Sequence, residues 1–208
     1  MSPLPLPLSQ LFNPRLTSLG RLEARSNLQG FPSEAALETG LSPWRISLDG
    51  DWRFQLAERP GAAPSDWVSS NTDQAPWRDI KVPGVWTRQG TGDLPHYANY
   101  LMPFDCQKPP AVPEDNATGL YRCTISDPDT WNGRKSNLKI EDQDHWNHGG
   151  LHRSVWLESR DATHLGDLSV ETDFDPQSKA GTASVRAVVN GDSAGWSVRC
   201  RLDGAATP

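Results

Sequence analysis

Trp44-Arg45-Ile46-Ser47-Leu48-Asp49-Gly50-Asp51-Trp52-Arg53-Phe54-Gln55-Leu56 decides the fold class of this chain. Ile46 and Leu48 share one face of an extended segment, and Trp52, Phe54 and Leu56 share one face of the next. Period-two alternation of this kind marks a half-buried strand. Asp49-Gly50 between the segments predicts a two-residue hairpin turn, because both residue types accept positive φ. The pattern repeats outward. Asp79-Ile80-Lys81-Val82 reads as a strand leaving into Pro83-Gly84, and Ala98–Met102, Leu120–Ile125 and Leu151–Leu157 extend the set. Beyond Glu158, Leu168–Thr172, Ala183–Val189 and Trp196–Leu202 alternate as three further strands. Before Trp44 there is little periodicity, apart from a helical turn or two predicted over Ser33–Leu37 with Ser33 as N-cap. Short strands, frequent turns and almost no helix predict an all-β chain built as a β-sandwich.

Composition narrows the function. The 208 residues are ample for a buried core, and 18 Pro, 17 Gly and 36% hydrophobic residues make the chain loop-rich and polar. Nine Trp are too many for a disordered tail. The net charge of −6 is spread in mixed signs with no Lys/Arg block, so no nucleic-acid partner is expected. Cys106, Cys123 and Cys200 are an odd, sparse set that forms no disulfide framework and points to a reducing compartment. Met1–Gln10 alternates Leu with Pro and carries no basic residue, unlike a signal peptide. No apolar run approaches the ~18 residues that cross a bilayer. A cytoplasmic location with no membrane partner is the expectation.

Several constellations invite chemistry. Glu141, Asp142 and Asp144, or Glu114-Asp115, offer the paired carboxylates a glycosidase uses. On an extended segment Asp142 and Asp144 share a face, which suits backbone hydrogen bonding or plain solvation better. His145, His148 and His152 have helical ligand spacing, but Gly149-Gly150 breaks the helix that would align them, so no metal site is expected. Gly191-Asp192-Ser193-Ala194-Gly195 matches the serine-hydrolase elbow. That elbow needs a helix after the serine, whereas the sequence there alternates and no histidine follows, so a turn is expected. Asn116-Ala117-Thr118 is a glycosylation sequon with meaning only in a secreted protein. Trp86 and Trp131 offer faces for a pyranose, or else pack internally. No P-loop, dinucleotide fingerprint or Cys-x-x-Cys pair is present, and no cofactor is expected.

Two longer stretches carry a family resemblance. One is Pro109-Pro110-Ala111-Val112-Pro113-Glu114-Asp115-Asn116-Ala117-Thr118-Gly119-Leu120-Tyr121-Arg122. The other begins Glu141-Asp142-Gln143-Asp144-His145-Trp146 and runs through Gly149-Gly150-Leu151-His152-Arg153 into Ser154-Val155-Trp156-Leu157. With Leu48–Phe54, Val82–Trp86 and Pro95–Tyr100 in the same order, the chain resembles the N-terminal sugar-binding domain of the large β-galactosidases of glycoside hydrolase family 2. The resemblance implies an extended arm over residues 1–43, then a jelly-roll-like, galactose-binding-like β-sandwich over 44–160. A truncated immunoglobulin-like domain over 161–208 would follow.

The family's chemistry, with both catalytic glutamates, lies in a C-terminal (β/α)8 barrel that alone needs ~250 residues. The resemblance therefore implies a non-catalytic, sugar-binding portion with no catalytic residue of its own. The implied partners are a galactoside and a separately made catalytic-barrel polypeptide, and a free-standing carbohydrate-binding module is the alternative. Asn99, in Tyr97-Ala98-Asn99, matches the family's Tyr-Thr-Asn segment, whose asparagine helps hold the galactosyl unit. An amide suits that role as both donor and acceptor, although capping a turn would also explain it. One departure stands out. Trp131 reaches Glu141 through residues 132–140 alone, where the family carries several strands and a loop aspartate that also reaches the sugar. The sandwich is thus expected to be shortened between 131 and 141.

Overall fold

A computed structural model describes residues 10, 13–69, 71–73, 75–95, 116–126, 128–140 and 149–200. Ser33 caps a helix, α1 (Glu34–Thr39), its side chain accepting from Ala36 N at 3.2 Å, as its place before Glu34 predicts. The strands that follow are β1 (Arg45–Ser47), β2 (Gly50–Ala57), β3 (Arg78–Val82), β4 (Gly84–Val85) and β5 (Thr118–Arg122). After them come β6 (Lys135–Ile140), β7 (Gly150–Leu151), β8 (Val155–Arg160), β9 (His164–Asp175) and β10 (Ala180–Asn190). They form antiparallel sheets β3-β2-β5, β4-β7 and β9-β10, and a further sheet in the order β1-β8-β6. This is the strand-rich class read from the alternation, built as several small sheets of the kind that pack in β-sandwiches.

The chain divides into two compact units. Described residues up to 21 and within 46–127 and 138–157 belong to the first, and those within 22–45, 128–137 and 158–200 to the second. In the first unit, the apolar face of β2 makes the core. Trp52 and Phe54 are buried with Ile80 and Val82 of β3 and Val155 of β8, and Leu48, Leu56, Trp86, Tyr121 and Leu151 pack around them. Phe54 is wholly buried, with its ring 4.9 Å from that of Tyr121, the residue opposite it on β5. Trp52 donates its indole N–H to Leu48 O at 2.7 Å, so the buried ring leaves no polar atom unpaired. On the opposite face of this sheet Leu120 is buried, and the guanidinium of Arg122 lies 5.4 Å over the buried ring of Trp77. There Arg122 also donates to Ser69 O at 2.8 Å, and Arg53 to Trp77 O at 2.6 Å.

In the second unit Trp131 is the buried anchor, donating its indole N–H to Pro43 O at 2.9 Å. The guanidinium of Arg134 lies 4.2 Å over the ring of Trp44, whose carbonyl accepts from Ser159 N. Ser26 donates its N–H and its hydroxyl to Asp167 Oδ1, both at 2.8 Å, and these bonds hold that carboxyl below its ordinary pKa. β9 and β10 are a long hairpin with Val185 opposite Val170 and Ala187 opposite Leu168. Side chains alternate, so Val170, Phe174 and Val185 share one apolar face, and all three are exposed.

Four readings of the sequence change here. Asp49-Gly50 is not a hairpin turn, for β1 lies beside β8 while β2 pairs with β3 and β5. Asp49 Oδ1 instead accepts from Val155 N at 3.1 Å, and Gly50 at φ 137° turns the chain from one sheet into another. The single strand expected over Leu151–Leu157 is two, since Gly150 and Leu151 pair with β4 whereas Val155 O accepts from Leu48 N. Residues 135–140 form β6, a strand not anticipated in the shortened stretch. Residues 196–200 are irregular rather than extended into a strand. Ala98–Met102 lies outside the described residues, as do positions 201 and 202.

Packing at Gly119 and the burial of Tyr121 are both testable. A Cβ at Gly119 would lie 2.6 Å from Trp86 Cζ3 and 2.9 Å from Phe54 Cε2. Gly119→Ala should therefore cost about 1–3 kcal/mol in urea unfolding, as overpacked cores do. Burial pushes the Tyr121 phenol up from 10.0 to about 12, with the nearby Leu151 backbone opposing the shift only in part. The unfolded chain deprotonates first, so stability should fall as pH rises from about 10 to about 12 and level off beyond. Tyr121→Phe should remove that decline. Tyrosinate absorbance should show a late-titrating group that Tyr121→Phe removes.

Candidate functional site

Trp86 follows β4 directly and opens a short 3-10 turn, Trp86–Arg88. Val85 pairs with Gly150, and Trp86 N donates to Gly149 O at 2.9 Å, so the turn is clamped to β7. The ring packs on Phe54 with centroids 6.0 Å apart, and a Cβ at Gly119 or Gly149 would collide with it. Its indole N–H donates to Asp93 Oδ2 at 2.6 Å, and Thr91 Oγ1 donates to the Trp86 carbonyl at 3.0 Å. Gln89 copies a backbone partner along β3, accepting from Lys81 N at 2.8 Å and donating to Lys81 O at 3.0 Å. Arg78 donates to the carbonyls of Gly90 and Gln89 at 2.5 and 3.0 Å.

Residues 86–93 are thus fixed by strand backbone, two glycine surfaces and one half-buried indole. Pro95, two residues past Asp93, leads into the stretch 96–115. Gly149, against the Trp86 ring, ends the stretch 141–148.

Asn99, Glu114, Asp115, Glu141, Asp142, Asp144, His145 and His148 lie outside the described residues. His152 sits between β7 and β8, and no group of His, Cys, Asp or Glu among the described residues has the geometry to hold a metal ion. Trp86 and Trp131 both pack internally, the first wedged at the junction and the second 2% exposed. Thr118 Oγ1 donates to Asn116 O at 3.0 Å, a local turn leading into β5. Among the described residues no helix follows Ser193. Ala194 N donates to Asp192 Oδ1, and Thr163 Oγ1 to Asp192 O, so this glycine-flanked serine lies in a turn. The Trp86–Asp93 bond was not legible in the sequence: the pairing spans seven residues of loop, and only the glycines at 119 and 149 signal a ring nearby.

Comparison with known proteins agrees with this geometry. Residues 46–141 match the family model of the glycosyl hydrolases family 2, sugar binding domain, and span β2 to β6. The chain is similar to the β-galactosidase of Psychromonas ingrahamii, 27% identical over 245 aligned positions covering 91% of this chain and 24% of that protein. It is 30% identical to the β-galactosidase of Aeromonas hydrophila over 253 positions, with 91% and 24% covered. To that of Vibrio vulnificus it is 39% identical over 114 positions, 55% of this chain and 11% of that protein. The chain thus spans about a quarter of the length of the first two curated relatives. An alignment of 245 positions exceeds the 208 residues present, so the relatives carry segments with no counterpart here.

The junction predicts a graded response to substitution. Trp86→Ala should lower the free energy of unfolding by on the order of 3 kcal/mol, since removing a large packed ring leaves a cavity. Trp86→Phe keeps most of the volume but loses the bond to Asp93, and should cost on the order of 1 kcal/mol. Urea unfolding followed by circular dichroism separates the two, and equal losses would contradict the wedge.

Proposed function

We propose that this chain is the sugar-binding N-terminal portion of a β-galactosidase-like glycoside hydrolase, non-catalytic by itself. It would work alongside a barrel that hydrolyses terminal β-D-galactosides. The match of residues 46–141 to the family 2 sugar-binding domain is the observation that carries the reading. In it β2–β5 belong to a jelly-roll-like sandwich shortened between 131 and 141, and β9–β10 open an immunoglobulin-like domain. In this reading Asn99 helps hold the galactosyl unit, as its match to the family's Tyr-Thr-Asn segment implies, its amide both donating to and accepting from sugar hydroxyls. The setting is cytoplasmic, where Cys123 and Cys200, both free and exposed, stay reduced.

A second reading, a subunit complementing a separately made catalytic-barrel polypeptide, draws on the exposed apolar face of Val170, Phe174 and Val185. Apolar patches of this sort mark surfaces that another polypeptide covers. Co-expression with a family 2 barrel polypeptide should restore galactosidase activity under that reading, and Val185→Lys should abolish the gain.

The main reading is tested by urea unfolding of the purified chain with and without methyl β-galactoside. A ligand of the native state shifts the transition upward by mass action. Asn99→Ala should reduce the shift while keeping its ligand-free midpoint, and o-nitrophenyl galactoside should not be turned over. Turnover above background would sink the non-catalytic assignment.

A further inference from the structure

A cleft of 340 Å³ opens within the second unit, lined among others by Phe31, Trp44, Arg45, Arg134, Glu158 and Trp196. That volume sits at the small end of ligand pockets and suits a molecule of monosaccharide size. Glu158 is 5% exposed and lies at its base. Its Oε2 is 3.4 Å from Arg160 Nη2, while its Oε1 is 3.6 Å from Arg45 Nε and accepts no hydrogen bond among the described residues. Arg45 and Arg160 ion-pair this carboxylate, but the 3.6 Å to Arg45 is too long for a hydrogen bond, so Oε1 keeps room to accept one. Beside it stand groups that only donate: Arg134, held to Asp161 at 2.5 Å and to Ser159 Oγ at 3.0 Å, and Arg160. At the rim Trp196 is 68% exposed and presents an apolar indole.

From this juxtaposition we infer that the cleft binds a neutral, polyhydroxylated molecule of monosaccharide size. Each hydroxyl both donates and accepts, so vicinal hydroxyls satisfy Glu158 Oε1 and an arginine together. The C–H face of a pyranose has an apolar wall in Trp196. An anion would meet the arginines but be repelled by the Glu158 carboxylate beside them. The inference goes beyond the reading built on Asn99 and does not depend on it, since the cleft's described residues come from another part of the chain.

The test is calorimetric titration of the full chain with methyl β-galactoside and methyl β-glucoside, and in parallel with galacturonate and inorganic phosphate. A neutral glycoside should bind, and Trp196→Ala, a change at an exposed position, should weaken it about fivefold to tenfold. Glu158→Gln should weaken it at least as much, and circular dichroism checks that this buried variant is folded. Asn99→Ala should leave cleft binding in place. Glycoside binding lost in Asn99→Ala and unchanged in Trp196→Ala would overturn the cleft and keep the Asn99 site. Binding of phosphate or galacturonate in preference to neutral sugars, or of no sugar at all, would also overturn it.

Discussion

The indole of Trp86 occupies space that exists because positions 119 and 149 carry no side chain. Phe54, wholly buried, supplies the other contact. Through that ring, β2, β5 and the β4-β7 pair are locked to one another, and Asp93 fixes the loop beyond through the indole N–H. A close-packed interior transmits such a constraint, because a ring seated between two bare Cα atoms has nowhere to shift.

Electrostatics are arranged differently in the second unit. Arginine there is buried along its stem and stacked or hydrogen-bonded at its head, as Arg134 is over Trp44 and against Asp161 and Ser159. Planar, multiply donating guanidinium groups suit such partly dry settings better than lysine would. By contrast the ion pairs on the outer face of β2, Arg53 with Asp79 and Lys81 with Asp51, are largely exposed and add little to stability. The chain spends its charge on shaping a cleft in one place and on solubility in the other.

Legibility of the fold varied with the range of the forces involved. The alternation of Trp52, Phe54, Ile80 and Val82 announced buried faces that the structure contains, and Ser33 caps its helix as its neighbours predict. Pairing was less legible. Asp49-Gly50 has the residues of a hairpin turn, yet the amide of Val155, over a hundred residues away, takes the Asp49 carboxylate and directs the chain between sheets. Strand β6 escaped notice because Leu138 and Ile140 are a thin apolar signal amid Lys, Ser and Asn. Of the candidate site, the family motifs and the tryptophans were readable, but which indole packs inward and which faces a cleft was not.

By itself the sequence determined the strand-rich class, the capped helix and the kinship with the family 2 sugar-binding domain, because alternation, capping and motif order are written in neighbouring residues. Only the tertiary structure decided which strands share a sheet, that Trp86 is a wedge, and that a buried carboxylate with an unmet acceptor stands beside three arginines. These depend on contacts between residues distant along the chain, whose geometry emerges only when competing partners are brought to the same place and one of them wins.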